Sequence, residues 1–493
     1  MAVSDDDGLR RRATNSIGWV VFERWSSRLI SLALLALLTR LLTPADFGLI
    51  SLATASLAVV QVFVDSGFSR ALIQKRQIGP KDASTAFWAS MSIAVTLCVA
   101  LVLVAPLIAT ALGDSRLGPV LQVLSITLPL TALSQTPAAL LERDLDFKPL
   151  SLRQFIGTLS GAAIAVPIAL LGGGVWALVA QTVVSSIAAT IALWASTSWR
   201  PKLEFSRVAL KSLWATGASI LGIDLLDAIQ GNVDKIVIGI FFDPTQLGYY
   251  FLAQRIGTIL IELVTSVISR VSFTTFSRVQ DDNVRLNRIF RQLTFVASAI
   301  SVPLFGLVAV FAAQLVGFLF GPGWQAAVPI LWILAPGWAL GAVMYFDRTV
   351  LLATSNSGPA LMLALFQNIV SATLVFVFIP FGVIGVAFSR LARFVTWPIR
   401  LWVLHRLAGI EVWKYIEQIL RPAGAFAPII LILALLQLTP WAGLPLPMVT
   451  FVLPLSVLAL ICFGGALYAL GGPENRALVA RTLGDISSRF RRR

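Results

Sequence analysis

The sequence predicts an all-α polytopic membrane protein of about 14 transmembrane helices, arranged as two pseudo-symmetric six-helix lobes and two C-terminal helices. Three observations carry this prediction: the composition, the succession of apolar runs, and a repeat within the chain. Of the 493 residues, 57% are hydrophobic and only 13% are charged, whereas an average soluble domain carries about 25% charged residues. Such a chain cannot cover a globule with polar side chains, so a soluble enzyme, a disordered chain and a fibrous protein are excluded.

The apolar runs are long enough to cross a bilayer as helices. The first 16 residues are polar and no short apolar segment with a cleavage site follows them, so the first run is interpreted as an uncleaved span rather than a signal peptide. The spans are predicted at residues 15–38, 46–66, 84–111, 117–140, 152–171, 175–196, 210–242, 246–268, 290–318, 326–352, 359–380, 383–404, 422–438 and 448–470. The loops between them are too short to form an extramembrane domain.

The distribution of basic residues predicts the orientation. Counted over alternate loops, one side of the membrane holds 28 Lys and Arg residues, including Arg70 and Arg153, and the other side holds Arg40 and Arg116. Because basic loops stay in the cytoplasm, both termini are expected to be cytoplasmic. This asymmetry also accounts for most of the net charge of +14, so no nucleic-acid partner is needed to explain it.

The chain resembles itself at an offset of 200 residues. Residues 43–70 align with 243–270 without a gap, and the identical pairs include Pro44 with Pro244, Gly48 with Gly248, and Arg70 with Arg270. We therefore expect parallel repeats: one lobe over 1–205, a second over 206–410, and accessory helices with a basic tail over 411–493. Transporters with repeated halves bind substrate near the midplane and alternate access by rocking. A duplication with only structural meaning is the alternative.

Eight basic residues remain inside predicted spans, where each costs about 2.5–3.5 kcal/mol at the bilayer centre unless it faces protein or water. They are Arg24, Arg28, Lys235, Arg255, Arg348, Arg390, Arg393 and Arg400. The spacings i,i+4 and i,i+3 put Arg24 with Arg28, and Arg390 with Arg393, on shared helix faces. Adjacent guanidinium groups suit phosphates. Candidate anion-binding residues are therefore Arg24, Arg28, Arg255, Arg390 and Arg393, whereas Arg348 and Arg400 lie at span ends and are expected to extend toward the interface.

Carboxylates also occur inside the predicted spans. Asp224, Asp227 and Asp234 form one stripe on span 7 beside Lys235, and Glu23 and Glu262 lie on other spans. Two interpretations stay open for this set: counter-ions for the arginines, or a site that couples transport to H⁺ or Na⁺.

The sequence contains no motif for several classes of chemistry. There is no Walker A motif and no paired catalytic carboxylates in an accessible loop, so no catalytic residues are assigned and the chain is not expected to be an enzyme. Cys98 and Cys462 lie in apolar runs, which predicts neither a disulfide nor a metal site. No cofactor is expected.

The segment 16–76 contains L-T-P-x-D-F-G at 42–48, followed by D-x-G-F-S-x-A-L-I-Q at 65–74. With the echo at 243–257 and the segment 320–336, it resembles the polysaccharide-transporter, Wzx-type flippase family of the multidrug/oligosaccharidyl-lipid/polysaccharide (MOP) superfamily. The resemblance implies a flippase in the bacterial inner membrane. Its substrate would be an undecaprenyl-pyrophosphate-linked oligosaccharide for O-antigen, capsule or exopolysaccharide, with polysaccharide polymerase and chain-length proteins as candidate partners. The lipid tail of this substrate would stay in the bilayer.

Three alternatives remain at this point. A peptidoglycan precursor flippase handles the same pyrophosphate carrier, so the charge of the arginines does not distinguish it from an oligosaccharide flippase. A MATE-like drug or cation exporter would favour net negative charge in the cavity, which the arginines oppose. A membrane scaffold of a polysaccharide synthase complex would not need buried arginines.

Overall fold

The structure is a computed structural model that describes residues 30–65, 67–75, 78–79, 81–280, 282–354, 357–437 and 451–470. Every regular element in these ranges is helical, and no strand occurs within them, as the sequence predicted. By its contacts the chain divides into two compact units, Met1–Phe251 and Leu252–Arg493. The lobes expected over 1–205 and 206–410, with 411–493 as accessory helices, concern the repeat and stay a prediction.

The first unit is built from α1 to α9 and the start of α10. Their bounds are α1 Ile30–Leu41, α2 Pro44–Asp65, α3 Phe68–Gln74, α4 Asp82–Leu112, α5 Leu117–Ser125, α6 Thr127–Arg143, α7 Phe147–Leu170, α8 Val175–Ser196, α9 Arg207–Phe241 and α10 Pro244–Arg278. α2 begins at a local cap, because the backbone N–H of Thr43 donates to Asp46 Oδ2 at 3.0 Å and the Thr43 hydroxyl donates to the same oxygen at 2.7 Å. Proline fits the first helical position, where no N–H is needed.

α7 and α8 form a closely packed antiparallel pair. Gly157 and Gly161 lie four residues apart on the face of α7 that meets α8. A Cβ at these positions would fall 2.9 Å from Ser185 O and 2.7 Å from Gln181 O. Small residues at this spacing let two helices in a membrane approach each other backbone to backbone.

The second unit contains the rest of α10 and α11 to α19. These helices are α11 Asn283–Val310, α12 Ala312–Phe320, α13 Val328–Val343, α14 Tyr345–Ala353, α15 Ser357–Phe378, α16 Gly382–Ala392, α17 Trp397–Ala408, α18 Val412–Gln437 and α19 Leu453–Leu470. α16 passes into α17 through a short 3₁₀ turn, Arg393–Thr396. A buried core of this unit includes Phe290, Phe346 and Tyr415.

Nine helical segments in the described ranges are long and apolar enough to cross a membrane, and a bent pair within Arg207–Phe241 would make ten. Two predicted spans, 359–380 and 383–404, are counted as one continuous segment, Gly358–Ala408. α1 and α19 are short apolar helices. α10 is absent from the nine because polar residues interrupt its sequence. The multi-pass helical class therefore holds, while the number 14 is not reached among the described residues.

Equivalent positions of the sequence repeat meet where α2 and α10 begin. A Cβ on Gly48 would fall 1.8 Å from Pro244 O, and a Cβ on Gly248 would fall 1.9 Å from Pro44 O. The contact is reciprocal, since each glycine lies against the backbone of the proline that opens the other helix. Neither position has room for a side chain.

Candidate functional site

The second unit contains a cavity of about 170 Å³ with two arginines in its wall. It lies between α10, α13 and the passage from α16 to α17. Its lining residues are Gln254, Thr258, Ile261, Leu334, Gly337, Trp338, Arg390, Leu391 and Arg393. No carboxylate belongs to this lining, so the charged side chains in the cavity wall are all cationic.

Helix geometry brings these side chains together. Gln254, Thr258 and Ile261 are four and three residues apart, which places them on one face of α10. Arg390 is in the last turn of α16 and Arg393 opens the 3₁₀ turn, so both face the cavity as the i,i+3 spacing predicted. Arg393 also lies over the ring of Phe394, with 5.3 Å from Cζ to the ring centroid.

Trp338 forms an aromatic part of the cavity wall and depends on a glycine opposite it. A Cβ on Gly257 of α10 would fall 2.1 Å from Trp338 Cε2. The other face of the indole meets Phe305 of α11, with 6.0 Å between ring centroids. The indole is therefore held between α10 and α11 only because residue 257 has no side chain.

Two other sequence candidates on α10 do not line this cavity. Arg255 is exposed beside Gln254, and Glu262 is half-buried. The sequence grouped Arg255 with Arg390 and Arg393 by depth alone. One residue along a helix corresponds to a rotation of about 100°, which turns Arg255 away from the face that carries Gln254. Its role as an anion ligand stays a prediction.

The acidic residues of the predicted stripe on span 7 lie in different surroundings. Asp224 forms an ion pair with Arg70 of α3, with 2.7 Å between Oδ1 and the guanidinium. Asp234 is fully buried and accepts a hydrogen bond from the Tyr250 hydroxyl. Lys235 donates to Asn232 Oδ1 at 3.2 Å, and Asp227 is exposed. Asp224 is thus paired with an arginine that the sequence assigned to a loop, and both interpretations of the stripe stay predictions.

Glu23, Arg24 and Arg28 lie outside the described residues. The proposal that Arg24 and Arg28 bind an anion therefore stays a prediction from the sequence.

The first unit contains a larger and more polar cavity, of about 420 Å³, which the sequence did not predict. Its wall carries four charged residues and eight neutral polar ones among a few apolar side chains. The charged residues are Asp65, Arg70, Glu142 and Arg153, and the neutral polar residues are Gln61, Ser69, Thr131, Ser134, Gln135, Gln154, Ser186 and Thr190. Arg70 and Arg153 had been counted only as loop charges. The missed signal was the set of glutamines in otherwise apolar runs.

A buried ion pair in the second unit was also missed. Arg400 Nε lies 2.9 Å from Asp347 Oδ2, and the Tyr415 hydroxyl donates to Asp347 Oδ1 at 2.9 Å. The expectation that Arg400 extends to the interface was wrong, because this carboxylate and the carbonyl of Met344, 2.9 Å from its Nη2, hold the guanidinium inside the protein.

No cluster of three or more His, Cys, Asp or Glu residues with metal-binding geometry occurs in the described part of the chain. Cys98 and Cys462 are both free thiols.

The fold is that of MOP-superfamily transporters. The lipid II flippase MurJ in an inward closed conformation superimposes with a TM-score of 0.75 at 14% identity, over 92% of this chain and 99% of that one. An inward-facing multidrug resistance MATE transporter superimposes with a TM-score of 0.65 at 15% identity, over 78% and 95%. At these identities the likeness concerns the fold alone.

The sequence assigns the chain within this class. The model of the family described as "Polysaccharide biosynthesis protein" matches residues 37–329, more than half of the chain, and the chain belongs to that family. This confirms the resemblance drawn from the L-T-P-x-D-F-G segment. The family and its structural neighbours are transporters and flippases, not enzymes.

Curated relatives have names from surface polysaccharide pathways. The succinoglycan biosynthesis transport protein ExoT of Rhizobium meliloti is 27% identical over 66% of each chain. The teichuronic acid biosynthesis protein TuaB of Bacillus subtilis is 28% identical over 82% of this chain and 84% of that one. The lipopolysaccharide biosynthesis protein WzxC of Escherichia coli is 24% identical over 72% and 71%. This protein is therefore a multi-pass membrane transporter of the polysaccharide biosynthesis family.

Proposed function

We propose that this protein is a flippase that moves an undecaprenyl-pyrophosphate-linked oligosaccharide from the inner to the outer leaflet of the bacterial inner membrane. The glycan would serve O-antigen, capsule or exopolysaccharide synthesis, and transport would proceed by alternating access. The polysaccharide names of ExoT, TuaB and WzxC support the pathway. The fold shared with a lipid II flippase supports the mode of transport.

The observation that carries the proposal is the cationic cavity of the second unit. Arg390 and Arg393 share its wall, and no carboxylate does. A pyrophosphate offers oxygens to both guanidinium groups, and charge-assisted bonds of this kind are strong. A cationic drug would meet repulsion in the same place, which weighs against a MATE-like exporter.

The neighbouring residues suit the rest of such a headgroup. Gln254 and Thr258 provide amide and hydroxyl groups next to the arginines, and Trp338 provides a flat apolar face. Sugars adjoining a pyrophosphate present hydroxyl groups and C–H faces, which these side chains can bind. The polyprenyl tail would remain in the bilayer, where apolar chains are stable. Arg24, Arg28 and Arg255 are proposed as further cationic contacts.

The orientation and the energy source belong to the proposal as well. Both termini would be cytoplasmic, as the distribution of basic residues indicates. Coupling to H⁺ or Na⁺ through Asp224, Asp227, Asp234, Glu262 or Glu23 is one of two roles for these carboxylates, and ion pairing is the other. Polymerase and chain-length proteins would receive the flipped product.

One experiment separates this function from its alternatives. Deletion of the gene should cause one lipid-linked oligosaccharide to accumulate on the cytoplasmic side, where mass spectrometry identifies it. Vesicles that contain the purified protein should then move that same lipid to the opposite leaflet. Accumulation of the peptidoglycan precursor would instead indicate a precursor flippase. Normal flipping in the deletion strain, with loss of polymer only, would indicate a scaffold and overturn the proposal.

A further inference from the structure

We propose that the polar cavity of the first unit binds uncharged sugar residues of the transported glycan, at a site separate from the arginine-lined cavity. This inference rests on the proposed function and adds a glycan-specificity site to it. The cavity is lined by α2, α3, α6, α7 and α8, and its volume of about 420 Å³ falls within the range of about 300–1,000 Å³ typical of ligand sites.

The charges in this cavity balance. Asp65 and Glu142 contribute two acidic groups, and Arg70 and Arg153 contribute two basic groups. Arg70 also pairs with Asp224, which does not line the cavity. A pyrophosphate would be repelled by the two carboxylates, and an organic cation would be repelled by the two guanidinium groups. A neutral ligand with many polar groups encounters neither cost.

The neutral side chains have the hydrogen-bonding character that sugar hydroxyls require. Sugar hydroxyls both donate and accept, and so do amides and the hydroxyls of serine and threonine. The wall already contains two such pairs: Gln61 Nε2 donates to Thr131 Oγ1 at 2.8 Å, and the hydroxyls of Ser134 and Thr190 are 3.0 Å apart. Each of these hydroxyls can rotate to face a ligand.

Gln135 gives the most specific indication. Both atoms of its amide are shielded from solvent and lack a hydrogen bond of good geometry among the described residues, and the Asp65 carboxyl is a close polar neighbour of this amide in the wall. An amide that is poorly hydrogen-bonded in a protein interior is costly, and a bound water, ion or ligand is one explanation for such a group. Gln135 lies on α6 in the wall of this cavity, and rotation of its side chain would bring the amide to a sugar hydroxyl.

The position of the cavity fits the loading of substrate. Its residues come from the end of α2, from α3, from the second half of the span that α5 and α6 form, from the beginning of α7 and from the second half of α8. They therefore lie in one half of this unit along the helix direction. On the orientation predicted from the loop charges, this is the cytoplasmic half. A lipid-linked glycan assembled in the cytoplasm would meet it before flipping.

The test compares two lipid substrates in vesicles that contain purified protein. One carries the complete glycan from the deletion strain, and the other is undecaprenyl pyrophosphate with a single sugar. The variants Gln135→Leu and Gln61→Leu remove hydrogen-bonding groups from the wall. Gln122→Leu is the matched control, because Gln122 is a half-buried glutamine of the same unit that donates to Val102 O at 3.1 Å and lies outside this cavity.

We expect each wall variant to raise KM for the complete glycan about fivefold or more, and to leave KM for the single-sugar lipid unchanged. Gln122→Leu should leave both unchanged. Ala138→Phe, which fills the cavity without removing a polar group, should reproduce the selective effect. This variant keeps the test decisive if a glutamine variant fails to fold.

The other possible results distinguish failure of the sugar site from failure of the flippase function. If the wild type moves both lipids and all wall variants move the complete glycan normally, the sugar site is wrong and the flippase function stands. If the variants lose both substrates equally, the cavity is not glycan-specific and the inference is overturned. If the wild type moves neither lipid, the proposed function itself fails. Uptake of the lipid-free oligosaccharide would indicate a free-sugar carrier and would overturn both.

Discussion

Arg400 and Asp347 form an ion pair inside the second unit, with 2.9 Å between Nε and Oδ2, and Asp347 is fully buried. The pair joins α17 to α14, and Tyr415 adds α18 by donating to the same carboxylate. The edge of the Trp397 ring faces Tyr415, with 6.4 Å between centroids. Three helices are thus connected through one carboxylate, which lies away from the residues that line the cationic cavity.

Loss of this carboxylate should destabilise the protein strongly. Asp347→Leu leaves a largely buried guanidinium without its counter-ion, which costs about 3–5 kcal/mol. Thermal unfolding of the purified protein measures the loss. The double variant Asp347→Leu with Arg400→Met removes both charges and should recover much of the lost stability. A double variant less stable than Asp347→Leu alone would contradict this account.

Replacement of the cavity arginines should abolish transport while the protein persists. Removing one partner of a buried charged contact costs about 2–5 kcal/mol in binding, so Arg390→Ala and Arg393→Ala should lower flipping at least tenfold. Lysine at either site keeps the charge but loses the planar fork, and partial activity should remain.

The matched control for the arginines is Arg348→Ala. Arg348 is an exposed arginine of α14 in the same unit and does not line the cavity. Flipping in vesicles should be unchanged, with protein quantified alongside. Normal activity of both cavity variants would refute the arginine-bound pyrophosphate, whereas loss of the protein itself would make the arginines structural. The same assay applied to Arg24→Ala and Arg28→Ala tests the prediction made from the sequence.

Gly257→Ala should impair the cationic cavity without touching a charge. The added methyl would fall 2.1 Å from Trp338 Cε2, so the indole or α10 must move. Such overpacking typically costs about 1–3 kcal/mol. Reduced flipping with both arginines in place is expected. Gly464→Ala on α19, where no atom lies within 4 Å, is the control and should have normal activity and stability.

The loop between α4 and α5 predicts a small dependence of stability on pH. The guanidinium of Arg116, whose Nη2 lies 2.8 Å from Asp114 Oδ2, holds the pKa of the Asp114 carboxyl below its usual value. A carboxyl with a lowered pKa in the folded state contributes stability above its ordinary pKa, and this contribution is lost as pH falls through the lowered value.

Asp114→Asn should therefore be less stable than the wild type by about 0.2–1 kcal/mol near neutral pH, since the pair is partly exposed. The difference should shrink as the pH falls below the ordinary carboxyl pKa of about 3.9 and through the lowered value, because the wild-type carboxyl then loses its charge. Paired thermal unfolding curves across this range measure it. A difference that grows on acidification would have the wrong sign.

The loop charges predict the position of the C-terminus. A cytoplasmic reporter fused after Arg493 should be active, and one inserted in the 440–447 loop should report the periplasm. These positions lie outside the described residues, so the experiment is an independent test of orientation. A periplasmic signal at Arg493 would refute the topology.

The sequence was sufficient for the helical membrane class and for one pair of cavity residues. Arg390 and Arg393 could be paired because the i,i+3 spacing within one helix depends only on local geometry. Arg255 could not be placed, since its direction depends on how α10 packs. The count of 14 spans stays a prediction, because the 51-residue segment Gly358–Ala408 contains two predicted spans and polar residues interrupt α10.

Contacts between distant segments were beyond local reasoning. Asp347 and Arg400 are 53 positions apart, and Arg70 and Asp224 are 154 positions apart. No periodicity connects such residues, so Arg400 was assigned to the interface and Arg70 to a loop. The polar cavity was missed for the same reason: each glutamine is unremarkable in its own run, and only packing of five helices brings the set together.

Gly48 lies against Pro244, and Gly248 lies against Pro44. This reciprocal contact limits how either segment can change in sequence. A side chain gained by either glycine would strike the other copy of the motif rather than its own. On the predicted duplication, neither copy can change this position independently of the other. The two motifs therefore constrain each other, as identical residues do at the symmetry axis of a homodimer.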